Sequence, residues 1–239
     1  MKRSLLLAAC AAISMAAASV QAAPPAHVTA AVANPDRPAA DRERDDARKP
    51  AEMLEFAGVK QGDVVVELIP GGGYFTRMLS AAVGPTGKVF AAVPAADLEK
   101  AKTEAKGNVT PVAMTGPAFK TPEPVDLMFT AQNYHDFHLK RFNLDVAAVN
   151  KALFDTIKPG GTLVIIDHAA VDGAPLEVAD SLHRIDPAVV KREVEAAGFK
   201  FVGESNAVRN SADDKTKLVF DPSIRGKTDQ FVFKFKKPG

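Results

Sequence analysis

An acidic side chain and three consecutive glycines follow a run of valines in residues 64–76, which read Val-Val-Val-Glu-Leu-Ile-Pro-Gly-Gly-Gly-Tyr-Phe-Thr. Glycine lets the backbone turn sharply and approach a ligand without interference from a Cβ atom. The helix predicted from Phe75 to about Val83 would direct the positive end of its dipole at this turn. An acid at the end of a strand, here Glu67, suits a cationic or hydroxyl-rich ligand better than one with several phosphates. The segment therefore predicts a binding site for a nucleotide-like cofactor.

A second group of polar side chains occupies residues 131–136, Ala-Gln-Asn-Tyr-His-Asp, directly after another predicted strand. In open α/β sheets the ligand crevice lies at the carboxyl ends of the strands, so this loop is expected to face the ligand. His135 is the candidate general base because the pKa of imidazole lies near neutrality, and Asp136 is grouped with it as a candidate catalytic residue. An ordinary polar surface loop is the alternative interpretation.

Two further histidines, His168 and His183, lie at the end of the fifth predicted strand and before a predicted helix. With His135 and either Asp136 or Asp167 they would resemble a metal site if the fold brought them together. The sequence has no His-x-His or His-Glu-x-x-His spacing to support such a site. We therefore predict no metal.

The elements that would position these groups alternate between strand and helix. Continuous apolar runs such as residues 64–66 suit strands buried on both faces, as in parallel sheets. Further strands are predicted at 88–93, 108–114, 125–130 and 162–167, and helices at 50–57, 97–105, 144–157 and 187–197, the third with Asn143 and the last with Asp186 as N-cap. Residues 200–203 and 230–235 read as a closing β pair. This order predicts an α/β fold with a doubly wound, mainly parallel, Rossmann-like sheet and a C-terminal antiparallel strand pair.

The first 45 residues precede the predicted domain. Residues 1–22 have a basic start, an apolar stretch and small residues near Ala22, which predict a cleaved signal peptide and an exported, periplasmic protein. Residues 23–45 are rich in Ala and Pro and are predicted to be a flexible lead-in to a domain over 46–239. The arginines at 42, 44 and 48 could close the site over a carboxylate, but a solvated charged segment is the favoured interpretation.

The composition excludes several classes of function. Cys10 is the only cysteine and lies in the predicted signal peptide, so the mature chain would have no disulfide, thiol nucleophile or thiolate metal site. Without Lys2 and Arg3 the chain has 28 basic and 29 acidic residues, and a near-neutral protein gives no reason to expect nucleic acid or an anionic membrane as partner. We predict a small-molecule partner and no stable membrane insertion, and the sequence leaves the oligomeric state open.

Two segments resemble the class I S-adenosylmethionine-dependent methyltransferases. Residues 67–73 are similar to the acid-x-Gly-x-Gly-x-Gly turn of that family, and residues 153–167 to its helix, Pro-Gly-Gly turn and fifth strand. The segments at 70–76, 133–136 and 183–187 look similar to an exported bacterial branch of predicted methyltransferases. The resemblance implies S-adenosylmethionine as cofactor, held by Glu67, Gly71, Gly72, Gly73, Tyr74, Phe75, Gln132 and Asn133.

The sequence departs from the family pattern at three positions. Ile69 stands where the family usually has its first glycine. The acid that ends the second strand and binds the ribose hydroxyls falls near Val93 and Pro94, with Asp97 as the nearest substitute. The acid expected near the adenine amine falls around residues 114–116 and is also missing.

The leading hypothesis from the sequence is methyl transfer from S-adenosylmethionine to an unidentified small acceptor, with His135 accepting a proton from an O–H or N–H group. The main alternative is a non-catalytic, exported ligand-binding protein on the same fold, because the ribose- and adenine-side acids are missing and the cofactor is made in the cytoplasm. A nicotinamide-dependent oxidoreductase is disfavoured, since the turn lacks the Gly-x-Gly-x-x-Gly spacing. A metal-dependent hydrolase that uses the histidines is the last alternative.

Overall fold

The computed structural model describes residues 23–116 and 118–239. Its strands are β1 (Val64–Leu68), β2 (Lys88–Pro94), β3 (Val109–Thr115), β4 (Ala118–Phe119), β5 (Val125–Ala131), β6 (Ile157–His168), β7 (Lys200–Ser205) and β8 (Gln230–Lys236). They form one sheet in the order β4-β3-β2-β1-β5-β6-β8-β7. Strands β3, β2, β1, β5 and β6 are parallel, whereas β8 runs antiparallel to both β6 and β7. The predicted fold class is therefore confirmed.

Helices cover both faces of the sheet. In chain order they are α1 (Ala26–Val32), α2 (Ala39–Arg42), α3 (Asp45–Arg48), α4 (Pro50–Ala57), α5 (Tyr74–Val83), α6 (Leu98–Glu104), α7 (Val146–Thr156), α8 (Val178–Leu182) and α9 (Pro187–Ala196). Helices α1, α4 and α5 share one apolar core with the sheet, and α7 and α9 share the other. Side chains alternate along β1, so Val66 and Leu68 enter the core of α7 and α9, whereas Val65 enters that of α1, α4 and α5.

The order of the strands creates a crevice. From β1 the chain moves outwards to β2 and β3, then returns to place β5 on the other side of β1. The loops after β1 and β5 therefore leave the sheet in opposite directions and open a gap at its carboxyl edge. The glycine turn at 71–73 and the polar loop at 131–136 lie on the two sides of this gap.

Two predicted boundaries are wrong. Helix α7 is capped by Asp145, whose carboxylate accepts a hydrogen bond from the Ala148 N–H, and not by Asn143. Strand β6 begins at Ile157 and not at Thr162, since Ile157 already pairs with Val125 before a register shift. The cap of α9 is confirmed, because Asp186 accepts from the Ala188 N–H.

The flexible lead-in predicted at residues 23–45 is also wrong. Val28 and Ala31 of α1 are buried in the core shared with α4 and α5, and the His27 Nε2 atom lies 2.8 Å from the carbonyl oxygen of Val59. The Arg37 guanidinium pairs with Asp45 at 2.6 Å and fixes the next turn of chain. In this Ala- and Pro-rich segment, Val28 and Ala31 are three residues apart and therefore lie on the same face of α1.

The predicted signal peptide, residues 1–22, lies outside the described residues, so export stays a prediction. Among the helices of the described ranges, none has both the length and the apolar character needed to cross a membrane.

Candidate active site

A cavity of about 400 Å³ opens at the crevice between β1, β5 and β6. Its volume falls in the range of small-molecule sites. Of the ten residues predicted from the sequence, nine line it: Glu67, Gly71, Gly72, Tyr74, Phe75, Gln132, Asn133, His135 and Asp136. The turn after β1 is thus open to a ligand and not filled by its own side chains.

Gly73 is the predicted residue that does not line the cavity. Its φ of 75° is left-handed, its N–H donates to the Pro70 carbonyl, and a Cβ there would lie 2.9 Å from the Arg77 guanidinium. Gly73 therefore serves the turn itself. At Gly71 and Gly72 an added Cβ would meet no atom within 4 Å, which leaves both backbones accessible from the cavity.

Ile69 has a φ of 50°. The left-handed conformation is costly for a β-branched residue, by about 1–2 kcal/mol. Ile69 thus adopts a backbone conformation that glycine would adopt at a lower energetic cost. The Asn133 side-chain amide helps to hold it, donating to the Ile69 carbonyl at 3.1 Å and to the Ala131 carbonyl at 2.7 Å.

Glu67 is the buried acid of the cavity, with 3% of its surface exposed. It lies on the face of β1 that packs against α5, and the Thr76 hydroxyl of that helix donates to its carboxylate. Burial raises the pKa of Glu67 to about 7, although the Thr76 hydrogen bond and the charges of Arg48 and Arg77 act in the opposite direction. Near neutral pH this carboxyl is therefore poised between its neutral and charged forms.

Arg44 and Arg48 also line the cavity. The Arg48 guanidinium stacks on the ring of Tyr74 at 4.8 Å and donates to the Gln132 side-chain carbonyl at 2.5 Å. Burial lowers the pKa of Arg48 to about 10, so the side chain stays charged at neutral pH. The prediction of a solvated segment is wrong for Arg48, whereas Arg42 is exposed and lies outside the cavity.

Hydrogen bonds attach the Tyr74 side chain to the chain before α4. The Tyr74 hydroxyl donates to Asp45 at 2.6 Å, and Asp45 also pairs with Arg37. Burial and the Asp45 carboxylate raise the pKa of Tyr74, which keeps it protonated as a donor. The residues that follow α1 thus form one wall of the site.

His135 and His183 meet at the other end of the cavity. The carboxylate of Asp167, fully buried at the end of β6, accepts from the His135 N–H at 2.7 Å and from its ring Nδ1 at 2.8 Å. His135 Nε2 lies 3.1 Å from His183 Nδ1 and 3.4 Å from a carboxylate oxygen of Asp136. Burial alone would lower the pKa of His135, but the charge and hydrogen bond of Asp167 raise it above its usual value.

Backbone pairing between the segment after α8 and the end of β6 places His183 next to His135. The segment after α8 runs parallel to the end of β6, with the Ile185 N–H donating to the His168 carbonyl and the Ala170 N–H to that of Ile185. His168 also lines the cavity, its Nδ1 lies 2.8 Å from the Thr228 hydroxyl oxygen, and burial lowers its pKa to about 4. His168 is therefore neutral at physiological pH.

Three lining residues lie outside every segment that the sequence analysis singled out: Arg141, Val219 and Phe220. Val219 and Phe220 belong to the long connection between β7 and β8, which a buried ion pair of Arg184 with Asp213 attaches to the domain at 2.8 Å. Their isolated positions in an irregular loop gave no periodic signal. Asp97, the suggested ribose ligand, is exposed and does not line the cavity.

Comparisons with known proteins support the fold. No family model and no curated protein sequence matches the chain. Among solved structures, the chain is similar to an S-adenosylmethionine-dependent methyltransferase from Aquifex aeolicus, with 21% identity, a TM-score of 0.58 and coverage of 86% of this chain and 96% of that one. It is also similar to Aeropyrum pernix fibrillarin with natively bound S-adenosyl-L-methionine (15% identity, TM-score 0.51, 80% and 76% coverage).

A third similar structure is the [4+2]-cyclase SpnF, with 14% identity, a TM-score of 0.58 and coverage of 84% of this chain and 81% of that one. At these identities the likeness concerns the fold alone. The chain has the fold of the class I methyltransferases, and that fold also carries other reactions.

Proposed function

We propose that this protein binds S-adenosylmethionine in the cavity beside Glu67 and transfers its methyl group to a small acceptor. The observation that carries the proposal is the open cavity at the glycine turn, with a buried acid on one side and an oriented imidazole on the other. The likeness to methyltransferase folds supports the cofactor class but not the acceptor.

The charges around the cavity suit the methionyl part of this cofactor. A sulfonium and an ammonium group need anionic partners, and Glu67 is the buried acid beside the turn. A carboxylate needs cationic partners, and Arg44 and Arg48 line the same cavity. The backbones of Gly71 and Gly72 permit the close approach that a tightly seated ligand requires.

The reactive methyl group is supplied by the cofactor, so the protein has mainly to align, desolvate and move a proton. The Nδ1 atom of His135 donates to Asp167, so the neutral ring carries its lone pair on Nε2, which lies 3.1 Å from His183 Nδ1 beside the cavity. Nε2 can therefore accept a proton from an acceptor O–H or N–H group. The modest cavity volume favours an acceptor of small size.

The second candidate is a ligand-binding protein without turnover, and one observation favours it. Pro94 ends β2 where the family has its ribose-binding acid, and the exposed Asp97 does not line the cavity. Losing a charged hydrogen bond to the ribose would cost about 1.5–3 kcal/mol of affinity. Such a protein would bind the cofactor, or a related cation, more weakly than an enzyme does.

Titration calorimetry with S-adenosylmethionine and its demethylated product tests binding, and release of the demethylated product across a panel of small alcohols, amines, thiols and catechols tests turnover. The proposal predicts one site per chain and turnover of at least one acceptor. Binding without turnover would favour the second candidate. No heat and no thermal shift at millimolar ligand would refute both.

The basic and apolar start of residues 1–22 supports export as part of this proposal. Fractionation of bacterial cells that produce the chain with and without these residues tests it. We expect a shortened protein in the periplasm only from the full gene. Retention of the full-length chain in the cytoplasm would contradict export.

A further inference from the structure

Three metal-binding atoms converge at the histidine end of the cavity. His135 Nε2, His183 Nδ1 and one carboxylate oxygen of Asp136 lie 3.1, 3.4 and 3.9 Å apart. A point equidistant from all three lies about 2.0 Å from each, which is the circumradius of a triangle with these sides and the usual ligand distance at zinc. An ion in the plane of the three atoms can thus meet the ligand distance to each of them at their present positions.

The arrangement also has the outer partner that metal-binding histidines need. The His135 Nδ1 atom is 2.8 Å from the buried carboxylate of Asp167, which fixes the orientation of the ring. A carboxylate behind an imidazole is the usual means of orienting such a ligand and raising its basicity.

The surroundings of His183 hold it beside His135. It is the C-cap of α8, with a left-handed φ of 52°. The next residues are held by pairing with the end of β6, and the ring of Phe220 packs 5.0 Å from that of His183. These contacts keep Nδ1 of His183 at 3.1 Å from Nε2 of His135.

We propose that His135, His183 and Asp136 form a site for one divalent transition-metal ion, with zinc as the reference ion. Two imidazole nitrogens and one carboxylate select zinc, iron, cobalt or manganese over magnesium and calcium, which prefer oxygen ligands. All three residues line the cavity, so the remaining coordination positions face it. Three protein ligands with open positions are typical of catalytic sites and not of structural ones.

The role of the ion, but not its binding, rests on the proposed methyl transfer. An acceptor hydroxyl or thiol bound to the ion would lose its proton more readily. When the ion is bound, the Nε2 lone pair of His135 coordinates it, so His135 cannot act as the base. The ion would instead lower the pKa of the acceptor hydroxyl or thiol that it binds. Small acceptors with an oxygen or sulfur donor are then the preferred class.

Calorimetry of the untagged full-length chain, stripped with a chelator, tests the site with zinc, cobalt, magnesium and calcium salts in turn. We expect one zinc or cobalt ion per chain at micromolar affinity or tighter, visible absorption bands of low-coordinate cobalt, and no heat from magnesium or calcium. His183→Ala and Asp136→Asn should each lower zinc affinity at least tenfold. His27→Gln, which changes a histidine far from the cavity, should leave it unchanged.

A hydrogen bond between the two imidazoles, with no ion, is the competing explanation of the 3.1 Å contact. It predicts no stoichiometric binding, or binding that is equally strong in the His183→Ala and Asp136→Asn variants, and either result would overturn the proposal. Thermal unfolding of each variant checks that it is folded. Because zinc binding is measured without the nucleoside cofactor, failure of the metal site and failure of methyl transfer can be told apart.

Discussion

Replacement of Glu67 by glutamine is expected to stabilise the protein at high pH and to weaken its cofactor binding. Glu67 is buried, and burial raises its pKa from 4.5 to about 7 despite the Thr76 hydrogen bond and the charges of Arg48 and Arg77. The glutamine side chain has the same shape and no charge to desolvate. Removal of the buried negative charge thus has two effects: it stabilises the folded protein, and it takes away the anion that would bind the ligand.

The sign follows from proton linkage. Between pH 4.5 and about 7 the folded chain keeps a proton on Glu67 that the unfolded chain has lost, so the free energy of unfolding falls as the pH rises through this window. One pKa unit corresponds to about 1.4 kcal/mol, so the full interval corresponds to about 3–4 kcal/mol. Above the window, Glu67→Gln should therefore be more stable than the unchanged protein by up to about 3–4 kcal/mol, and below it the two should be similar.

Urea denaturation followed by circular dichroism at about pH 4.5 and about pH 8 measures this difference, because these values bracket the window. Glu99→Gln is the matched control, since the Glu99 side chain is exposed on α6. The control should change the free energy of unfolding by less than about 0.5 kcal/mol at either pH. A Glu67→Gln variant with the same stability difference at both pH values would refute the account of this residue.

Three further predictions concern the walls of the cavity. Gly72→Ala should change the free energy of unfolding by less than about 0.5 kcal/mol, because its Cβ meets no atom within 4 Å. The same substitution should weaken S-adenosylmethionine binding at least tenfold, as measured by calorimetry. Unchanged binding would show that the ligand does not approach this backbone. Arg48→Met keeps a long side chain but removes the charge, so affinity for a ligand carboxylate should fall about ten- to hundredfold. A carboxyl-methylated ligand analogue should show no such loss. Asp45→Ala leaves the buried Arg37 without its ion partner, so chemical denaturation should show a loss of about 3–5 kcal/mol, and a loss below 1 kcal/mol would show that the segment before α4 does not stabilise the domain.

Much of the fold could be predicted because the sequence carries strong local signals for it. The valines before Glu67 marked a fully buried strand, and the alternating phenylalanines of residues 231–235 marked the antiparallel strand β8. The glycine turn and the polar loop after β5 were each recognisable by residue type, and parallel topology brings the ends of β1 and β5 together. Most of the candidate site follows from these local features.

The remaining parts depend on contacts that the sequence does not display. Arg48 is 84 positions from Gln132 in the chain, yet their side chains are joined by a hydrogen bond in the lining of the cavity. His135 and His183 meet only because the segment after α8 pairs with the end of β6. No spacing rule detects such long-range convergence, so the spacing of the histidines could not support a metal site.

The central claim is that the cavity beside Glu67 is the binding site of a nucleoside cofactor. A crystal structure of the protein grown with saturating S-adenosylhomocysteine, the demethylated product, tests it most directly. The account predicts the ligand in this cavity, with its amino acid end between Glu67 and Arg48. A ligand bound elsewhere on the protein, or a cavity that stays free of ligand at saturation, would contradict it.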